Sequence, residues 1–302
     1  MTSTEIQLVT IDILMCTYKR PQVTIALGTL AELELPKGFI LRVIVADNDE
    51  IPSAYENVTE FATKSSFPIL YIHAPANNIS IARNACLEQS EADYVAFIDD
   101  DEIAPKDWLV NLWSDLQRDN SDGVFGPAIA LYGDDTASWF VDLDVHSNIP
   151  KSRSGVVETG HTCNALIRWK GTNWYSERFD IAKGTSGGED TFFFYNIHKL
   201  GAKFSISRNA KVYEKVEAHR LNLSWVKTRF FRSGQTYAFC VITKRNKPFK
   251  ALTSLGKVLY CHLMCIISFG VSRKSWLLRR TFHLGFLNAC FIKKPIQIYG
   301  KV

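Results

Sequence analysis

Along the first hundred residues, short apolar runs alternate with stretches whose apolar positions recur every three or four residues. Two periods taking turns predict strands at 11–18, 41–46, 69–73 and 94–98, with helices at 21–33, 54–63 and 80–88 between them. Strand and helix in strict alternation build a mostly parallel sheet with helices on both faces, a Rossmann-like α/β arrangement. Pro21 suits the first turn of its helix, where a missing N–H costs nothing, and Ser80 is the expected N-cap of the third.

Beyond residue 103 the pattern predicts a helix at 105–117, strands at 123–131 and 162–169, and a helix that follows Gly187-Gly188 and stops at Gly201. A second, mixed layer therefore follows the parallel one. From about Leu221 the chain turns basic and amphipathic, with Trp225, Phe230, Phe231 and Trp276 interleaved among Lys227, Arg229, Arg232, Arg279 and Arg280. The expected organisation is a domain over 1–215, with halves at 10–103 and 104–215, and a helical extension over 216–302.

Charge sharpens that division. Of 35 Lys and Arg and 31 Asp and Glu in 302 residues, 1–202 hold 15 and 29, whereas 203–302 hold 20 and 2. So basic an end implies an anionic partner: nucleic acid, anionic lipid or a lipid-linked diphosphate. No nucleic-acid reading module is visible, and aromatic residues among Lys and Arg fit a membrane-surface anchor; the alternative is a helical subdomain whose charges are merely solvated. Residues 258–272 carry no Asp, Glu, Lys or Arg, a run shorter than a membrane span, which leaves a core helix or a membrane-surface segment as its readings. The first residues lack the basic-then-apolar order of a secretory leader, so the expected location is the cytoplasm, peripherally on the cytoplasmic face of the membrane. Seven cysteines without a Cys-x-x-Cys pair read as reduced thiols.

The candidate chemistry lies at strand ends, where open α/β sheets bind ligands. After the run Tyr94–Ile98 come Asp99, Asp100, Asp101 and Glu102. Carboxylates so crowded repel unless a cation sits among them, and a hard ion such as Mg²⁺ or Mn²⁺ held by Asp99 and Asp101 would grip a phosphorylated ligand. A phosphorylation site, a solvated turn and an aspartate-nucleophile phosphatase of the haloacid-dehalogenase type are the alternatives. The junction Cys16-Thr17-Tyr18-Lys19-Arg20-Pro21 contains no glycine, against a P-loop or a dinucleotide fingerprint. Tyr18 there offers a ring for a base to stack on, or simply packs. Asp47 could accept the ring N–H of uracil or lie in a solvated loop. Arg83, a cation expected in a first helical turn, answers either to an anion such as a diphosphate or to a nearby carboxylate.

Together these junctions resemble the inverting glycosyltransferases of family 2, which have the nucleotide-diphospho-sugar transferase (GT-A) fold. The likeness rests on Cys16-Thr17-Tyr18, Asp47, Ala82-Arg83-Asn84, Asp99 and Asp101, and Gly187-Gly188-Glu189-Asp190-Thr191, and covers about residues 10–215. Tyr213-Glu214, Arg220-Leu221 with Trp225, and Arg229 to Gly234 bring the succinoglycan-biosynthesis glucosyltransferase group nearest. The resemblance implies a UDP-sugar donor bound by Cys16, Thr17, Tyr18, Arg20, Asp47, Arg83, Asp99 and Asp100. It implies Mn²⁺ or Mg²⁺ on Asp99 and, principally, Asp101, Asp190 as catalytic base, and acceptor contacts at Asn164 and Glu189. The acceptor would be lipid-linked or another glycan in surface polysaccharide biosynthesis. Two departures stand out: Ala46-Asp47 replaces an Asp pair, and Glu214 replaces a histidine, so no third, histidine metal ligand is expected. The Gln-x-x-Arg-Trp motif of processive synthases is missing, which implies addition of a single sugar. A catalytically idle sugar-nucleotide binder and a metal-dependent phosphatase are the other readings.

Overall fold

The computed structural model describes residues 8–292, which form two compact units. The first holds the described residues up to Ile129, Asn148–Thr185 and Glu189–Lys215; the second holds Ala130–Ser147, Ser186–Gly188 and the chain from Val216 onward.

The first unit opens with β1 (Val9–Thr17), α1 (Val23–Ala31), β2 (Phe39–Asp47), α2 (Tyr55–Ala62), β3 (Ile69–His73), α3 (Ile79–Gln89) and β4 (Tyr94–Ile98). There follow β5 (Glu102–Ile103), α4 (Trp108–Arg118), β6 (Gly123–Phe125) and β7 (Ala128–Leu131), whose last two residues fall in the second unit. After α5 (Ser138–Leu143), which belongs to the second unit, come β8 (Asn164–Arg168), α6 (Glu189–Lys199), β9 (Phe204–Ile206) and β10 (Val212–Lys215). The main sheet has the order β3-β2-β1-β4-β8-β6-β9, parallel from β3 to β4, with β8 antiparallel to both its neighbours. A small sheet has the order β5-β10-β7.

Successive side chains of a strand point to opposite faces, and β1 uses both. Ile11, Ile13 and Met15 join one apolar cluster with Leu27, Leu30 and the α4 residues Trp108 and Leu112; Leu14 joins another with Ala82 and Cys86 of α3 and Phe193 and Phe194 of α6. Burial on both sides explains why β1, β2 and β4 read as nearly continuous apolar runs.

Two expectations change here. The strand expected at 123–131 breaks at Gly126-Pro127 into β6 and β7, which join different sheets. A Cβ on Gly126 would lie 2.2 Å from the Ala210 carbonyl oxygen, and Pro127 offers no N–H for a ladder. The N-cap of α3 is Asn78, whose side chain accepts the Ser80 N–H, and not Ser80 itself.

In the second unit α7 (Leu223–Val241), α8 (Lys247–Ile267) and α9 (Gly270–Ala289) pack together, α9 touching both others. The apolar stretch 258–272 is thus two helices, interrupted at Ser268 and Phe269. Glycines let α7 and α9 approach: a Cβ on Gly234 would sit 2.0 Å from the Phe282 carbonyl oxygen, and one on Gly285 1.9 Å from that of Phe231. Trp225 and Phe230, the aromatics expected on a membrane-facing surface, instead pack with Phe140, Val145, Val226 and Leu278 in this unit's own core. Of the cysteines, Cys86, Cys261, Cys265 and Cys290 are buried.

Candidate active site

The sheet reverses direction of travel at β1 and β4: the chain leaves β1 toward β2 and reaches β8 from β4. The ends of these two strands therefore border a crevice, and side chains from both meet there. Thr17 Oγ1 donates to Asp100 Oδ2 at 2.7 Å, and Arg20 Nη1 donates to Asp100 Oδ1 at 2.8 Å. The same guanidinium nitrogen lies 2.5 Å from Asp101 Oδ2. Cys16 and Tyr18, both half-buried, flank Thr17, and Lys19 turns the chain with φ 52°.

The acidic cluster is larger than the three aspartates. Antiparallel pairing of β10 with β5 places Glu214 opposite Glu102. Glu102 is buried; its Oε2 accepts the Asp99 N–H at 2.8 Å while its Oε1 has no hydrogen-bond partner. Desolvation, and then Asp101, Asp100 and Glu214, push the Asp99 carboxyl up to about 7 against the pull of Arg83. Burial raises Asp100 to about 6 although Arg20 and Thr17 oppose it. Burial and the neighbouring Asp99, Asp101 and Glu214 drive Glu102 well above the ordinary range.

Arg83 links this cluster to the start of α6. Its Nη1 donates to Glu189 Oε1 at 2.5 Å and its Nη2 is 3.8 Å from Asp99 Oδ1. With Asn78 as the cap, Arg83 lies beyond the first turn of α3, so the carboxylates and not the helix dipole account for it. Burial opposes its charge, yet Glu189 and Asp99 hold its pKa well above the usual value. Glu189 Oε2 is buried without a partner.

Gly187 and Gly188, at φ 79° and 87°, make the left-handed turn that starts α6. Asp190, next to Glu189, has Oδ2 2.9 Å from Nδ1 of His161, and Oδ1 accepts the Thr191 N–H at 2.6 Å. Burial tends to raise the Asp190 carboxyl, but His161, Arg83 and the Thr191 N–H outweigh it and bring it to about 2.

Two anticipated contact residues are engaged elsewhere. Asp47 is 0 % exposed, and its carboxylate accepts from Asp49 N, Ala54 N and the Tyr71 hydroxyl, which pins the loop after β2. Asn164 is buried, its Oδ1 accepting from Trp108 Nε1 and its Nδ2 donating to the carbonyls of Pro127 and Ala210. His161 and Glu102 were not anticipated. His161 lies three residues before Asn164, and Glu102 closes the acidic run itself.

A family profile described as Glycosyl transferase family 2 matches residues 12–173, from β1 through β8, and takes in Asp47, Arg83 and the strand-end aspartates. The chain belongs to this family. It is a glycosyltransferase, as the sequence resemblance implied. Across 295 residues it is 38 % identical to the succinoglycan biosynthesis protein ExoM of Rhizobium meliloti (strain 1021), covering 96 % of each chain. The family-2 fold is of the GT-A kind. The mannosyltransferase PcManGT from Pyrobaculum calidifontis, solved with GDP-Man and Mn²⁺, aligns with TM-score 0.62 and 13 % identity over 95 % of this chain and 88 % of that one. S. aureus TarS 1-349 in complex with UDP-GlcNAc aligns with TM-score 0.54 and 14 % identity over 91 % and 89 %.

The metal expected by resemblance suits the residues present. Asp99, Asp101, Glu102 and Glu214 supply only oxygen donors, the choice of a hard divalent ion, and Glu102 Oε1 is a buried acceptor without a donor. Among the described residues no cluster of three or more His, Cys, Asp or Glu is already arranged around a single point.

Proposed function

We propose that this glycosyltransferase moves one sugar, with inversion, from a UDP-sugar to a hydroxyl of a lipid-linked or other glycan acceptor during assembly of a surface polysaccharide. The carrying observation is Asp190, a carboxylate held ionised at a helix start, joined through Glu189 and Arg83 to the strand-end aspartates. The ExoM name supports the pathway, and the UDP-GlcNAc complex of TarS supports a uridine nucleotide donor.

In this reading Asp190 takes the proton of the acceptor hydroxyl as its oxygen attacks the anomeric carbon. The bond to the nucleoside diphosphate breaks, and its electron pair leaves with the diphosphate. His161 orients the carboxylate of Asp190 and shares the proton it receives. Asp99 and Asp101 would hold Mn²⁺ or Mg²⁺, which when bound supplies positive charge to the diphosphate. Thr17, Arg20 and Asp100 brace the donor crevice beside Cys16 and Tyr18, and Asp47 shapes its base end through the loop it pins. Work on a lipid-linked acceptor places the enzyme at the cytoplasmic face of the membrane.

Thermal unfolding with UDP and Mn²⁺ tests the donor half, since a ligand at a hundred times its Kd stabilises by about 2.7 kcal/mol. A Mn²⁺-dependent rise in Tm, lost in Asp101→Asn, is the expected result. A rise with another nucleotide alone would overturn the UDP assignment, and phosphomonoester hydrolysis would point to a phosphatase.

A further inference from the structure

The helix α8 is amphipathic in the wrong sense for a helix facing water. Ser254, Cys261 and Cys265, spaced seven and four apart, turn inward, and Ser254 Oγ donates to the His283 carbonyl of α9 at 3.0 Å. The opposite side should carry the polar residues. Instead Phe249, Leu252, Leu259, Leu263, Ile266 and Ile267 follow one another there, 55–68 % exposed. Successive members lie three, four or seven apart, apart from the adjacent pair at the end, so they form one stripe. Its charges lie beside and beyond the stripe. Lys257 sits on the flank, Lys244, Arg245 and Lys247 stand exposed before it, and Arg273 stands exposed after it.

We propose that this stripe seats α8 flat in the headgroup region of an anionic bilayer, cations toward the lipid phosphates and apolar side chains below them. The proposal rests on the membrane placement given above, but not on the transfer chemistry. It moves the membrane contact from Trp225 and Phe230, which are half-buried against this unit's own core, to a face that overlaps the apolar run 258–272.

Charge selects the occupant. The chain contains no Asp or Glu after Glu217, so a second copy would bring a like-charged surface to this face. An anionic leaflet is complementary. The helix is long and apolar enough to cross a membrane by length and composition. Its inward side, however, packs on α9, which carries Arg273, Lys274, Arg279 and Arg280 and could not follow it into hydrocarbon. A helix with one apolar face and flanking cations lies in the interface.

The test is co-sedimentation of the full chain with phosphatidylcholine vesicles, with and without phosphatidylglycerol. Binding is expected only to the anionic vesicles, weakened by salt, and lost in the double variant Leu252→Ser and Leu263→Ser. Because both side chains are exposed, the variant should keep its circular dichroism and its UDP-dependent Tm shift, which separates failure here from failure of the donor assignment. Lys244→Gln and Arg245→Gln should each weaken binding about fivefold. Three results would overturn the proposal: equal binding by the serine variant, resistance of the bound wild type to alkaline carbonate (a spanning helix), or no vesicle binding together with a dimer that the serine variant abolishes.

Discussion

His161 Nδ1 and Asp190 Oδ2 lie 2.9 Å apart, although 29 residues separate them in the chain. An imidazole on one carboxylate oxygen and the Thr191 N–H on the other leave Asp190 oriented and ionised. Asp190→Asn should abolish sugar transfer and leave the UDP-dependent Tm shift nearly unchanged. Loss of UDP binding to the same extent would sink the assignment of Asp190 as base.

The same pair predicts a pH effect. His161 helps bring the Asp190 carboxyl to about 2, so removing the imidazole should let it rise. In His161→Gln the acid limb of the kcat profile should move to higher pH, whereas a purely structural role would lower kcat equally at every pH. An unmoved limb counts against the pairing.

Arg83 and Glu189 are both buried, and each is the other's counter-charge. Removing one partner of a buried pair leaves an uncompensated charge, at a cost of about 3–5 kcal/mol. Arg83→Met should lose about that much in urea unfolding, and Arg83→Met with Glu189→Gln much less. Additive losses would show that the two do not depend on each other.

Asp99 at about 7 and Asp100 at about 6 lie above the value near 3.9 expected in an unfolded chain. Between those limits the folded protein holds protons that the unfolded chain has shed, so this contribution to stability is full below about pH 4 and lost as pH rises through 6 and 7. With a chelator present, Tm should therefore fall from pH 5 to pH 8, and Asp99→Asn should flatten the slope. Mn²⁺ should raise Tm more at the alkaline end, where the carboxylates are ionised; equal effects at both ends would argue against binding there.

Asn164 holds Trp108 Nε1 and two carbonyls, and each buried group left unpaired costs about 1–3 kcal/mol. Asn164→Ala should lower stability accordingly with an unaltered KM for acceptor. A raised KM at unchanged stability would return Asn164 to the acceptor site.

The parallel half of the fold was legible because β1, β2 and β4 bury both faces, so an apolar run marked each of them, and the strand ends marked Thr17, Asp47 and Asp99. That Asn164 meets three core groups was not legible, because a polar residue looks the same in a sequence whatever its partners. The break at Gly126-Pro127 depends on the Ala210 carbonyl, which approaches from far along the chain. The pairing of Arg83 with Glu189 spans 106 residues, and no local pattern encodes it. The apolar run 258–272 left a core helix and a membrane-surface segment both open, since composition does not say which side of α8 meets a neighbour.

Arg83 faces carboxylates of both motifs, Asp99 at the donor end and Glu189 beside Asp190. One cation cannot answer two anions in full. Under the proposed mechanism, a cation that neutralises Asp99 at the donor would leave more of the Arg83 charge to Glu189, next to the base.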